Sequence, residues 1–262
     1  MPADVIALFY LARGADADHL ASIRRFMKAY RSQPAGVAHE LVVIFKGFSS
    51  EDALDEARAA MAEVAFQEVH TGDETFDLGA YADAILRTSC ERAAFLNTGS
   101  EPIASNWLGK LNAALSLPGM GLVGASGSFE VGPAGGAEFP NIHVRTNAFM
   151  MRTALARRTL GRLTIKRKLD AYQAEHGPNS LTRQVVSCGV TAAIVGSNGR
   201  AYAPQWWRGS RTFHQGDQAN LLVADNQTRD WDAMTREERR ILYDRTWGAV
   251  GTRSRPFDDP RS

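Results

Sequence analysis

The chain has 262 residues, 44% hydrophobic and 23% charged, with a formal net charge of +1. That length buries a substantial core, as one large domain or two small ones, and the balanced charge gives no electrostatic reason to bind nucleic acid or an anionic membrane surface. No apolar run approaches the roughly 18 residues of a spanning helix, and the early "VIALFYLA" lacks the basic flank and cleavage site of a signal peptide. The two cysteines, Cys90 and Cys188, form neither a disulfide framework nor a metal spacing. They read as small buried hydrophobes of a reducing compartment, so the expected location is the cytoplasm.

Val5 to Ala12 is a continuous apolar run of strand length, the pattern of a strand covered on both faces. Leu20, Ile23, Met27 and Tyr30 follow at helical spacing on one face. "HELVVIFKGF" is a second buried strand, Glu51 to Ala62 a helix, and "AFQEVHTG" a third strand. Leu78 to Arg92 is predicted helical, Ala93 to Leu96 a strand, Trp107 to Leu115 a helix and "GMGLVGAS" a further strand. This alternation predicts one Rossmann-like α/β domain with a mainly parallel central sheet and helices on both faces. Ligands of such sheets bind beyond the carboxyl ends of the strands. Those ends are Ala12-Arg13, Lys46-Gly47-Phe48, Thr71-Gly72-Asp73 and Asn97-Thr98-Gly99.

Past residue 125 the texture changes. Gly132 to Gly136 is read as a mobile loop and the one plausible hinge. "NIHVRTNAFMMRTAL" joins alternation to a helix onset, and "RRTLGRLTIKRKLDAYQAEHG" is basic and partly helical. "VVSCGVTAAIVGSNGRAYAP" reads as a hairpin turning at Ser197-Asn198-Gly199. "GDQANLLVADNQTRDW" precedes a charged helix, "TREERRILYDRTWG", and residues 251–262 are expected to be a disordered tail.

The order of pieces carries a resemblance. A first strand and amphipathic helix are followed by "FDLGAYADAI", a strand ending "FLN…P", a "WLGKL" helix and "GLVGASGS". Further on come "HVRTNAFMMR", "AEHGPNSLTRQVVSCG" and "NLLVADNQTR". Together they resemble nucleotide-sugar glycosyltransferases of the A fold, particularly family-2-like and rhamnan-synthesis-type members, over most of residues 5 to 231. The resemblance implies transfer of a sugar from a nucleotide-sugar donor to a carbohydrate or lipid-linked acceptor, with inversion, in polysaccharide biosynthesis. Residues 1–125 would hold the nucleotide sugar and 126–250 the acceptor, within the same domain. Any membrane contact would be peripheral, through partners.

The family's strand-end Asp-x-Asp motif, which holds Mn or Mg against the donor diphosphate, is degenerate here: Asn97, Thr98 and Gly99 stand in its place. Neutral oxygens can ligate a hard cation but do not balance its charge. Either Glu101 substitutes, or Arg13 and Lys46 neutralise the diphosphate without metal, or the donor site is degenerate. The last case makes the chain a non-catalytic nucleotide-sugar or glycan-binding protein. The donor-binding candidates are Ala12, Arg13, Lys46, Asp73, Asp77, Asn97, Gly99 and Asn147; Asp77 also reads as the N-cap of the helix that follows it. The metal candidates are Glu101 and His214. Glu175 is the carboxylate that the resemblance makes the catalytic base; the bland reading is a solvated helix-end residue paired with Lys168 or Arg183. His143, Arg145 and Asn147 alternate onto one face, and Trp206 and Trp207 are either a sugar-stacking platform or ordinary loop packing.

Overall fold

The structure is a computed structural model that describes residues 5–132 and 137–249. Most of the expected hinge loop and all of the expected tail lie outside the described residues. The first half runs β1 (Ile6–Arg13), α1 (His19–Ser32), β2 (Glu40–Lys46), α2 (Glu51–Met61) and β3 (Gln67–Thr71). A single 3-10 turn at Asp73–Thr75 leads into α3 (Phe76–Arg87), then β4 (Arg92–Leu96), β5 (Glu101–Pro102), α4 (Trp107–Leu115) and β6 (Met120–Gly124). The second half adds β7 (Gly127–Ser128), β8 (His143–Val144), β9 (Ala148–Arg152), α5 (Thr153–Leu160), α6 (Lys168–His176) and α7 (Leu181–Val186). It closes with β10 (Thr191–Val195), β11 (Ala201–Tyr202), β12 (Val223–Ala224), α8 (Asn226–Ala233) and α9 (Arg236–Trp247).

Eight strands form the central sheet in the order β11-β10-β6-β9-β4-β1-β2-β3. Six run the same way; β9 opposes both β4 and β6, and β11 folds back on β10 as the expected hairpin. The order places strands of both sequence halves in one sheet.

Alternation along β1 explains the layering. Ala7, Phe9 and Leu11 enter one core, whereas Ile6, Leu8, Tyr10 and Ala12 enter the other, because successive strand side chains point to opposite faces. Phe9 stacks on Phe95, and Phe95 on Phe149, at centroid separations of 5.0 and 4.8 Å, tying β1, β4 and β9 together on one face. On the other face Tyr10 stacks on Phe26 of α1 at 3.8 Å. Burying each such ring contributes about 1.5–3 kcal/mol.

One boundary differs from the sequence expectation. Helix α3 stops at Arg87, and Thr88 is extended, because Arg92 is needed as the first residue of β4 opposite Ile6. Its charge is accommodated by the Asn112 side chain, which accepts from Nη1 at 2.5 Å. The segment after Gly216 contains β12 and α8, the latter started by a capping box in which Asp225 accepts from the Thr228 backbone N–H. Among the described residues no helix is long and apolar enough to cross a membrane.

Candidate functional site

Register brings the ends of the first three strands level, Arg13 beside Lys46 and Lys46 beside Thr71. Arg13 donates through Nε and Nη2 to the two Asp73 oxygens, both at 2.9 Å, and through Nη1 to Asp16 at 2.5 Å. The Lys46 side chain is buried, with Nζ 3.6 Å from Asp73 Oδ1. The hydrogen bond from Arg13 holds the Asp73 carboxyl below the usual aspartate range, and burial pushes the Lys46 amine down. Gly47 permits the arrangement: its φ is +66°, and a Cβ there would sit 3.0 Å from Asp73 Cγ. Ala12 is fully buried within β1, so the ligand-facing edge begins at Arg13.

Asp77 is not the N-cap. Thr75 occupies that position, without a side-chain cap bond, and Asp77 stands in the first turn of α3, where a carboxylate is favoured by the helix dipole. Burial pushes its carboxyl up.

Next to this edge, over the β4 and β9 ends, opens a cleft of about 420 Å3. Its floor is made where the Asn97 N–H donates to the Asn147 carbonyl at 3.0 Å. The buried Ser100 hydroxyl lies 2.6 Å from that carbonyl and 2.8 Å from Asn97 Oδ1. Asn147 accepts from Ser126 through Oδ1 at 3.1 Å, while its buried Nδ2 has no hydrogen-bond partner among the described residues. Arg145 crosses the cleft. It donates to Asp225 at 2.6 Å and to Ser126 at 3.2 Å, with its guanidinium 3.8 Å from the Phe213 ring centroid.

Glu175 stands on the cleft wall in the last turn of α6, half-buried, and accepts from the Thr146 hydroxyl at 2.6 Å. Neither Lys168 nor Arg183 pairs with it among the described residues, which removes the solvated ion-pair reading. Burial pushes its carboxyl up. His143 and His214 also line the cleft, and burial pushes each imidazole down to about 3, so both are neutral near pH 7.

The residues present do not fit a resident divalent ion. Asn97, Thr98 and Gly99 bring no charge, and Glu101 does not line the cleft. It pairs with Arg229 at 3.4 Å, and the same guanidinium donates to the Gly99 carbonyl. His214 faces the cleft, but its Nδ1 lies 3.0 Å from the Thr246 hydroxyl and its ring is stacked between Phe213 and Trp231. Asp225 is committed to Arg145. Among the described residues no group of three His, Cys, Asp or Glu side chains is placed to hold a metal. Of the two metal candidates, Glu101 is turned to Arg229 outside the cleft, and His214 faces the cleft with its buried Nε2 unpartnered among the described residues.

The tryptophan pair divides. Trp207 is fully buried and donates Nε1–H to the Tyr202 carbonyl, so it is core; Trp206 alone is exposed. The partners that complete the cleft were not visible in the chain. Thr146 reaches Glu175 across 29 positions, and Asp225 reaches Arg145 across 80.

No family model matches the sequence, and no curated protein is significantly similar to it. Among solved structures, a mannosyltransferase from Pyrobaculum calidifontis, in complex with GDP-mannose and Mn2+, superposes with a TM-score of 0.53 at 14% identity. The match covers 79% of this chain and 58% of that chain. This chain has the glycosyltransferase A fold. A CMP-2-keto-3-deoxy-manno-octonic acid synthetase complexed with CTP matches at a TM-score of 0.49 and 11% identity, covering 73% of this chain and 89% of the other. Glucosyl-3-phosphoglycerate synthase from Mycobacterium tuberculosis matches at 0.39 and 15%, covering 58% and 57%. At those scores neither bears on this chain's site.

Proposed function

We propose that this chain is an inverting glycosyltransferase that moves a sugar from a nucleotide-sugar donor to a carbohydrate or lipid-linked acceptor. In this reading Arg13, Lys46 and Asp73 face the nucleotide, and Asn97, Gly99 and Asn147 border the diphosphate and the sugar. The nucleotide side belongs to residues 1–125 and the acceptor side to 126–250, with the reaction in the cytoplasm and in the service of polysaccharide synthesis of the rhamnan type. Mn or Mg enters only as a companion of the donor diphosphate, since the chain's own carboxylates beside the turn are already paired.

The observation that carries the reading is the placement of Glu175. It is a half-buried carboxyl with one hydrogen bond, from Thr146, on the wall of a cleft at the carboxyl ends of the strands. There it takes the proton of an acceptor hydroxyl, whose oxygen forms the new bond to the anomeric carbon as the bond to the nucleoside diphosphate breaks. The raised carboxyl makes it a stronger base than a solvated glutamate. The neutral turn Asn97-Thr98-Gly99 favours a second reading, a nucleotide-sugar or glycan-binding protein without turnover.

One experiment separates them. Wild type and Glu175→Gln are titrated calorimetrically with uridine, guanosine and thymidine diphosphates, with and without manganese, and assayed for transfer to a carbohydrate panel. The transferase reading expects the same nucleotide affinity in both and a fall in turnover of about 10²–10⁴-fold in the variant. Full turnover by Glu175→Gln removes the base role. Nucleotide binding by wild type with no transfer from any donor supports the binding protein.

A further inference from the structure

Between the strand-edge cluster and the cleft lies a second cavity of about 190 Å3. Phe76 and Asp77 of α3 form one side, and Tyr172 and Glu175 of α6 the other, so Glu175 belongs to both cavities. The Asp77 side chain makes no hydrogen bond among the described residues. The charged groups around it are Lys46 from β2, Arg13, Asp16 and Asp73. Tyr81 follows Asp77 by four residues and thus shares its face of α3. It is fully buried, its hydroxyl has no hydrogen-bond partner among the described residues, and both Asp77 and Glu175 act on it electrostatically. The groups around Glu175 are Thr146 and Arg145 from the segment between β8 and β9, Asp77 and Tyr81 from α3, and Lys168, Tyr172 and His176 of its own helix.

We propose that Asp77 is a positioning residue that acts through Glu175: the two carboxyl groups line one small cavity, where a charge on Asp77 opposes ionisation of Glu175. Asp77 thereby sets the pH at which Glu175 is free to take up the acceptor proton. This rests on the reading of Glu175 as the base. The physical ground is that a like charge across a small shared space makes ionisation of the second group costlier. Burial pushes both groups up, and the charge on Asp77 pushes Glu175 further. Such a pair loses its protons in two coupled steps rather than as independent acids. Lys46 favours the ionised form of Asp77, so Asp77 loses its proton first and the later step falls to Glu175.

The test is carboxyl carbon NMR on the full chain carrying labelled Asp and Glu, with Glu175 and Asp77 assigned from Glu175→Gln and Asp77→Asn. Asp77→Asn lowers the Glu175 midpoint by about one pH unit. Glu175→Gln leaves the Asp77 midpoint nearly where it is, because Asp77 ionises while Glu175 is still neutral. In turnover, the acid limb of the Asp77→Asn profile moves to lower pH together with the Glu175 midpoint, while the donor KM is unchanged. An unmoved Glu175 midpoint in Asp77→Asn overturns the proposal. So does a loss of nucleotide diphosphate affinity in Asp77→Asn with an unchanged Glu175 titration, which makes Asp77 a direct nucleotide contact. Should Asp77→Asn fail to fold, Asp77→Ala takes its place, with the same fall expected in the Glu175 midpoint. Full turnover by Glu175→Gln sinks the base reading and leaves the coupled midpoints as they are, so the two failures are distinguishable.

Discussion

The strand-edge cluster and the cleft both join cations to carboxylates, yet they hold their charges differently. At the edge, Arg13 and Asp73 are each about one-third exposed, at 34% and 37%, and the pair stays in contact with water. In the cleft, Arg145 and Asp225 are 11% and 1% exposed and stand apart in sequence by 80 residues. Water screens the first pair and is nearly excluded from the second, so the same chemical contact has different consequences. The edge can exchange its partners for a ligand at small cost. The cleft pair is part of what shapes the floor, since Arg145 also holds Ser126, which holds Asn147.

The sharpest way to break the comparison is Arg145→Met. It leaves Asp225 buried beside an apolar chain, with only the Thr228 cap to satisfy it. Removing one partner of a buried pair costs about 3–5 kcal/mol. Urea unfolding of the variant is expected to show a loss of that order, with altered nucleotide binding wherever the protein remains folded. A loss below about 1 kcal/mol would place the pair with the screened ones.

The edge was legible in the sequence because each of its groups follows an apolar run that ends at a glycine or turn. Arg13, Lys46 and Asp73 were named from strand ends alone. The cleft was legible only in its individual groups, Glu175, Asn147 and Arg145, and not in their partners. No local pattern tells that Thr146 faces Glu175, because that depends on where α6 settles over the sheet. The inversion of β9 between β4 and β6 was hidden for a similar reason: "AFMMR" is apolar whichever way it runs. Asp77 was misread because a carboxylate just before an apolar helical run matches an N-cap. The chain in fact enters α3 through a 3-10 turn that uses Thr75 instead. The start of α8 did carry a signal, the Asp225-to-Thr228 spacing of a capping box.

Acid sharpens the comparison next. His143 and His214 line the cleft, and each has its folded value pushed down to about 3 by burial, below that of an unfolded histidine. The stability they confer is complete above the unfolded value and is lost as pH falls from about 6.5 toward 3. Each proton taken up only on unfolding costs about 1.4 kcal/mol per pH unit in that window. Asp77 and Glu175, pushed up, act in the opposite sense, so the contribution is best isolated by difference. Between pH 6 and 4, stability of His214→Asn is expected to fall less steeply than that of wild type, by about 1.4 kcal/mol per pH unit. Parallel slopes would mean that water reaches His214 freely.

The smallest effect belongs to the edge. Asp73→Asn keeps the shape of the side chain and removes the charge that faces Arg13 and Lys46. Because both Arg13 and Asp73 touch solvent, the loss is expected to stay below about 1 kcal/mol and to shrink as salt is added. Its pH signature follows from the sign of the shift: Asp73 is held low by Arg13, so its contribution is present above the ordinary aspartate range and disappears as pH falls below it. Wild type and variant should therefore converge in acid. Nucleotide diphosphate affinity should change more than stability does, because the variant leaves Lys46 without its Asp73 partner and Arg13 with Asp16 alone at the edge proposed to meet the donor. A stability loss above about 2 kcal/mol with unchanged nucleotide affinity would make the cluster a structural clamp between β1 and β3, and the contrast with the cleft would fail.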